Sequence, residues 1–327
     1  MSALLQVEGL EVQYRAPGGL GDLIAGRPRR VTRAVNGISF EIEKGDTLGL
    51  VGESGCGKST LGRALLRLTP AAGGQVRFAG EDVLDMPAEK LLAFRRRAQM
   101  VFQDPFASLN PRLTVAETLR EVFAVHRLCP PREVASRVGE LMARVGLPWE
   151  FAGRRAAALS GGQCQRVGIA RALAMGAELI VADEPVSALD VSIQAQILNL
   201  FTRLQREMGL TLLFISHDLG VVRHLCRRVA VMYLGRIVEM GPTEELFENP
   251  THPYTRALIE AIPRMAPDST LAPALAGELP SIVKPPAGCP FHPRCPEAMA
   301  QCRSGEPPAR RRVDGREVWC HLYPPGA

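Results

Sequence analysis

The stretch Gly52-Glu53-Ser54-Gly55-Cys56-Gly57-Lys58-Ser59-Thr60 has the residue types and spacing to hold an anion, in the P-loop pattern G-x-x-x-x-G-K-[ST]. Its glycines let the backbone fold so tightly that successive N–H groups converge on one concavity. Lys58 brings a full positive charge to phosphate oxygens, and the Ser59 hydroxyl is a ligand for Mg²⁺. Cys56 stands beside Lys58 and a helix start, surroundings that lower a thiol's pKa and predict a reactive thiol; a small, inert, buried residue is the alternative. Downstream, Asp183-Glu184 closes the apolar run Leu179-Ile-Val-Ala182. Asp183 suits a direct or outer ligand of Mg²⁺, and Glu184 suits the polarisation of an attacking water. Two acids after a strand are by themselves most often a solvated turn, and it is the P-loop upstream that argues against that here. Near the end lie Cys289, Cys295, Cys302 and Cys320, spaced C-x5-C-x6-C-x17-C. Four thiolates can hold a Zn²⁺ or a [4Fe–4S] cluster; the absence of a tight C-x2-4-C knuckle favours the cluster over zinc. His292 and His321 are available as substitute or outer ligands, and four cysteines packed without metal remain the third reading.

The elements that must position these groups are legible. Asp46–Val51 reads as a buried strand and Ser59–Arg67 as a helix whose N-terminus faces the phosphates. Leu5–Tyr14 and Ala34–Glu43 alternate as half-buried strands, and Gln75–Phe78 gives another. Residues 16–32, rich in Gly and Pro, read as a loop insertion. Val115–Leu128 and Arg132–Val145 carry helical patterns, so residues 104–160 read as a helical subdomain inserted into an α/β core. Leu179–Ala182 and Thr211–Ile215 are continuous apolar runs, as buried parallel strands require. Between them Ile193, Ile197, Leu200 and Leu204 share one helix face. Arg228–Tyr233 and Arg236–Met240 form a strand pair turned at Leu234-Gly235. Residues 263–286 have the composition of a Pro-rich linker leading to the Cys-bearing residues 287–327.

A chain of 327 residues with 46% hydrophobic and 22% charged residues has ample material for a buried core. Its net charge of +5 is mild, and the short basic runs at Arg27–Arg30, Arg95–Arg97 and Arg310–Arg312 read as solvated faces with no nucleic-acid motif beside them. The start carries no signal-peptide pattern and no run is long and apolar enough to span a membrane, which predicts a cytoplasmic chain with reduced thiols.

Leu159-Ser160-Gly161-Gly162-Gln163, followed by Gln165-Arg166, is similar to the signature motif of ABC-type ATPases. The resemblance runs from the start to about Ile262, in the family's order. It implies a P-loop NTPase α/β core with an antiparallel β subdomain and an inserted helical subdomain, binding ATP and Mg²⁺. By the same resemblance, Tyr14 stacks on adenine, Gln103 reaches Mg²⁺ and the attacking water, Ser187-Ala-Leu-Asp190 is the D-loop, and His217 bonds the γ-phosphate. Ser160, Gly162 and Gln163 serve the nucleotide of a second subunit, so the chain must pair. Cys164 departs from the family, which usually has a polar residue there.

Phe102–Arg112, Asn249–Arg256 and Gly288–Cys295 with Trp319–Leu322 resemble the ATPases of oligopeptide/dipeptide (and nickel or glutathione) importers. The insertion before Ala34 and the Cys-Gly-Lys-Ser form of the P-loop resemble the second of that subfamily's two ATPase chains. The resemblance implies a heterodimer with another ATPase, two transmembrane permease subunits, a periplasmic or lipid-anchored solute-binding protein, and a peripheral place on the cytoplasmic face of the inner membrane. It implies that Asp104–Arg112 receives a permease helix, and that some members carry a cluster at the cysteines. A soluble ABC protein acting on nucleic acid or the ribosome is the alternative, and an exporter ATPase a third.

Overall fold

The computed structural model describes residues 3–15, 31–262 and 277–323. The Gly- and Pro-rich insertion lies outside them except for its last two residues, which open a strand instead; residues 263–276 of the expected linker lie outside as well. The chain divides into two compact units, each described by itself.

One unit takes Leu4–Glu41, Leu48–Leu84 and the chain from His217 onward. Its first strand, Ala3–Arg15, buries Leu5, Val7, Leu10 and Val12 and pairs antiparallel with Gly73–Phe78, Leu5 opposite Phe78. Val31–Glu43 lies on its other side, and Glu81–Asp82 continues beyond Gly73–Phe78. Thr47–Val51 is buried at every residue and runs parallel to Arg228–Tyr233, Leu48 opposite Arg228. Covered on both faces, such a strand has no use for polar alternation. Arg228–Tyr233 turns back at Leu234 (φ 42°) and Gly235 (φ 79°), the two left-handed residues of a tight hairpin, into Arg236–Pro242.

The tail does not stand apart. Arg311–Val313 and Arg316–Val318 form a second hairpin through Asp314 (φ 46°) and Gly315 (φ 78°). Its inner strand pairs antiparallel with Arg236–Pro242, Glu239 opposite Val318, so the Cys-bearing region continues the sheet that holds Arg228–Tyr233. This was not expected of a tail behind a linker.

The other unit is built from Ile42–Thr47 and Asp85–Ser216. Three parallel strands lie in the order Ala98–Val101, Leu179–Asp183, Thr211–Ser216. Helix Val115–His126 packs on both Val134–Arg144 and Gly161–Ala174, as the helical insertion required. It starts with a capping box: the Thr114 hydroxyl accepts from the Glu117 N–H, and the Glu117 carboxylate accepts from the Thr114 N–H. Helix Val191–Met208 buries Ile197, Leu200, Phe201 and Leu204 and ends at Gly209 in the left-handed region. Helix Ala88–Arg97 and the short strand Ala98–Val101 escaped the sequence reading, because four residues including Gln99 show no apolar run. Arg95–Arg97 forms the basic last turn of that helix, where cations complement the dipole.

Candidate functional site

The phosphate loop follows directly on the buried strand Thr47–Val51. Gly52 (φ 154°) and Gly57 (φ 109°) are closed to any side chain: a Cβ would stand 2.1 Å from the Met232 carbonyl oxygen at the first and 2.2 Å from that of Ala34 at the second. Helix Lys58–Leu65 begins at Gly57 with no side-chain cap and no acid in its first turn. The positive end of its dipole is therefore not offset by any acid of the helix itself, as suits a helix start that faces an anion. Lys58 is only 4% exposed, and its ammonium donates to the carbonyls of Gly52 (2.7 Å) and Glu53 (3.0 Å). Ser54 and Gly55 are exposed, and Ser59 and Thr60 are half-buried. In the same unit Tyr14 is 45% exposed near the end of its strand, and His217 is exposed just beyond the strand Thr211–Ser216.

Cys56 corrects an expectation. It is fully buried, and burial raises its pKa, outweighing the lowering by Lys58. Its Sγ lies under Gly52, 3.0 Å from where a Cβ would sit, so the thiol packs the underside of the loop and does not face reagents.

The second unit gathers Gln103, Glu184 and Ser187. Asp183 is buried at the end of the central strand of its three. Glu184 follows with φ 46°, a left-handed conformation uncommon for a residue with a Cβ, held by its N–H donating to the Ile215 carbonyl at 3.0 Å. Gln103, two residues past the strand Ala98–Val101, donates through Nε2 to the Glu184 carboxylate (3.2 Å) and the Ser187 hydroxyl (3.4 Å). An amide beside a carboxylate at a strand end can orient a water between them.

Helix Gly161–Ala174 opens differently. Ser160 and Gln163 form a capping box, the Ser160 hydroxyl accepting from the Gln163 N–H (3.3 Å) and the Gln163 side chain accepting from the Ser160 N–H (2.9 Å). Gly162 admits no side chain, since a Cβ would stand 2.4 Å from Ile193 Cγ2. Cys164 is buried, with its pKa pushed up to about 11 by desolvation, so it fills the place as a small apolar group.

Residues 35–187 match the family model described as "ABC transporter", and residues 238–302 match "Oligopeptide/dipeptide transporter, C-terminal region". The oligopeptide transport ATP-binding protein AppF of Bacillus subtilis is 52% identical over 295 residues, 89% of this chain and 90% of its own length. This chain belongs to the ABC transporter family. Another ABC relative, the oligopeptide transport ATP-binding protein OppF of Escherichia coli, is 48% identical over 308 residues, 93% of this chain and 92% of its own. Among solved structures, the ATP-binding cassette MJ0796, a dimer bound to ADP and Pi, matches with TM-score 0.63 and 28% identity over 73% of this chain and 98% of its own. The cassette cbiO1 from Clostridium perfringens matches with TM-score 0.64 and 27% identity over 76% and 92%. The chain is an ABC ATPase, and among its described residues no helix is long and apolar enough to cross a membrane.

In this ABC ATPase the oligopeptide-type C-terminal region reaches the phosphate loop, a connection the sequence reading missed. Arg294 donates to both carboxylate oxygens of Glu53, at 2.6 and 3.0 Å. The Tyr254 hydroxyl accepts from the Glu53 N–H at 3.0 Å. The partners are 241 and 201 positions apart, and Glu53 occupies a place where the loop pattern accepts any residue.

The tail cysteines are neighbours. The Cys289 N–H donates to the Cys302 carbonyl, and burial, reinforced by the other thiols, pushes Cys289 up to about 11 and Cys320 up to about 12. Burial also raises Cys295, which is half-buried. Among the described residues, however, no three His, Cys, Asp or Glu side chains are disposed to hold a metal ion.

Proposed function

We propose that this chain is the ATP-hydrolysing subunit of an importer for oligopeptides, dipeptides or related small solutes. The observation that carries the hydrolytic half is the Gln103–Glu184–Ser187 cluster behind buried Asp183. The transport half is supported by the oligopeptide-type C-terminal match and by AppF and OppF over about nine-tenths of the chain. In this reading residues 1–262 are the ATPase domain with a helical subdomain at about 104–160, residues 263–286 a linker, and residues 287–327 the Cys-bearing region. Tyr14 stacks on adenine; Gly52, Ser54, Gly55, Cys56, Gly57, Lys58, Ser59 and Thr60 hold the phosphates. Ser59, Gln103 and Asp183 supply the oxygen donors that Mg²⁺ takes, and the ion neutralises phosphate charge. Glu184 and Gln103 orient the attacking water, and His217 bonds the γ-phosphate. Ser160, Gly162 and Gln163 act on the nucleotide of a second, different ATPase chain.

The partners in this reading are that second ATPase, two transmembrane permeases and a solute-binding protein, with the chain on the cytoplasmic face of the inner membrane. The exposed Phe106, in a turn closed by Asp104, is the first residue we assign to the permease contact. Coexpression with permeases encoded beside it tests the assignment: the complex should hydrolyse ATP faster when a peptide-loaded binding protein is added. Copurification with ribosomes or nucleic acid, without permease, would overturn it.

We further propose that the four tail thiols are ligands of a [4Fe–4S] cluster, with Zn²⁺ as the alternative. Their number, spacing and mutual nearness support this. Anaerobically purified protein should be brown, losing iron and acid-labile sulfide in the Cys295→Ser, Cys302→Ser double variant. Colourless protein with stoichiometric zinc, or with no metal, ends the cluster reading.

A further inference from the structure

Glu53 places a carboxylate inside a loop built to receive polyphosphate. Its own carbonyl accepts from the Lys58 ammonium at 3.0 Å, so the residue that bears the carboxylate also borders the cation of the loop. A carboxylate and a phosphate are like charges and oppose one another in such a loop, more so where water is scarce. In this structure that carboxylate is paired. Arg294, whose side chain is 4% exposed, grips it with two parallel N–H···O bonds, the strongest and most directional form of ion pair. The pairing in turn raises the Arg294 pKa.

Arg294 is firmly seated. It ends the short turn His292–Arg294, and its N–H donates to the Phe291 carbonyl at 2.9 Å. Phe291 is buried edge-on against Tyr233 (centroids 5.3 Å) and tilted against Tyr254 (5.3 Å), whose hydroxyl accepts from the Glu53 N–H. The tail behind it is tied by the ladder of Glu239 with Val318 and by the Trp319 N–H donating to the Val238 carbonyl. Both the backbone and the side chain of Glu53 are thus held by residues from the C-terminal third of the chain.

We infer that Arg294 is a positioning residue for nucleotide binding: by pairing with Glu53 it screens an adverse charge from the phosphate loop, so that docking of the tail and binding of ATP favour each other. The inference rests on the ATP-binding reading above. Linkage makes the effect reciprocal: what the tail does for ATP affinity, ATP does for tail docking.

The test is the ATP dissociation constant of full-length protein in its complex. Arg294→Ala should weaken binding about tenfold, within the range usual for coupled sites. Arg294→Lys should fall between the two, because an ammonium keeps the charge but not the paired bonds. The decisive variant is Arg294→Ala with Glu53→Gln, which removes the uncovered charge and should recover most of the lost affinity. A merely structural Arg294 predicts no such rescue, and a double variant as weak as the single overturns the inference. Should the Arg294 variants fail to fold, hydrogen exchange on the intact protein replaces them. Mg-ATP should slow exchange across residues 289–303, and no change there would equally overturn the inference. Wild-type protein that binds no ATP would instead sink the ATPase reading, whereas normal binding with an indifferent Arg294→Ala would remove this inference alone.

Discussion

Two helix starts in this molecule are opposites. Lys58–Leu65 begins without a side-chain cap, at a glycine no other residue can replace, and with no acid to offset the positive end of its dipole. Gly161–Ala174 begins self-sufficient, with Ser160 and Gln163 occupying each other's backbone N–H groups. In the proposed reading the difference separates two ways of handling phosphate. An uncapped end is a standing site, ready before any partner arrives. A capped end is stable alone, and its hydroxyl must leave the Gln163 N–H, or share it, before it can serve a nucleotide.

The sharpest way to separate binding from turnover is Glu184→Gln. It should retain ATP and lose at least about a hundredfold in hydrolysis, since it removes the candidate base but leaves both helix starts intact. Near-normal hydrolysis by the variant in its complex would exclude Glu184 from that role.

Gly57→Ala should break the uncapped end. The new methyl meets the Ala34 carbonyl, and left-handed backbone alone adds about 1–3 kcal/mol of strain. Isothermal titration should show ATP binding lost or greatly weakened while far-UV dichroism stays native. Unchanged affinity would mean the loop has room that this structure denies it.

At the capped end, Ser160→Ala should cost about 1 kcal/mol of stability, the usual value of such a cap, and leave ATP binding by the chain alone unchanged. The measurement is a denaturation midpoint beside a nucleotide titration; a loss of affinity in the isolated chain would erase the contrast between the two ends.

A milder effect concerns acid. His252 is fully buried, and its pKa is pushed down to about 3, first by desolvation and then by Arg256, while its Nδ1 accepts from the Tyr254 N–H at 3.0 Å. The unfolded chain takes up the proton near pH 6.5 and the folded one does not, so stability should fall as pH drops from about 6.5 toward 3. His252→Asn keeps an accepting cap and should flatten the dependence of Tm on pH between 7 and 5. The smallest effect is expected at Cys56: a neutral-pH alkylating reagent should leave it unmodified with or without Mg-ATP, because burial keeps it protonated and covered.

What was legible in the sequence was local. The phosphate loop, the Asp183-Glu184 pair and the signature lie within runs of a few residues whose chemistry depends on immediate neighbours, and the parallel strands announce themselves as apolar runs. Burial was not legible, which is why Cys56 was misread: a charge beside a thiol is visible in sequence, but the desolvation that outweighs it is not. Pairings across two hundred residues were equally hidden, Arg294 with Glu53 above all. Two signals were available and unread. Ser160-Gly-Gly-Gln163 has the spacing of a capping box. Val313-Asp314-Gly315-Arg316 carries the Asp-Gly signal of a tight hairpin, which would have placed strands in the tail.

That tail hairpin has a further consequence, in the behaviour of the molecule among its copies. Arg236–Pro242 would otherwise be an outer strand with a row of free N–H and C=O groups, the kind of edge along which chains stack on one another. Arg316–Val318 covers it, and Arg316 also lies 4.0 Å from buried Glu239, whose carboxylate caps the N–H groups of Thr251 and His252. Cutting the chain before this hairpin would therefore bare the edge of Arg236–Pro242 and take away the cation beside Glu239, so the hairpin guards an edge along which copies would otherwise pair.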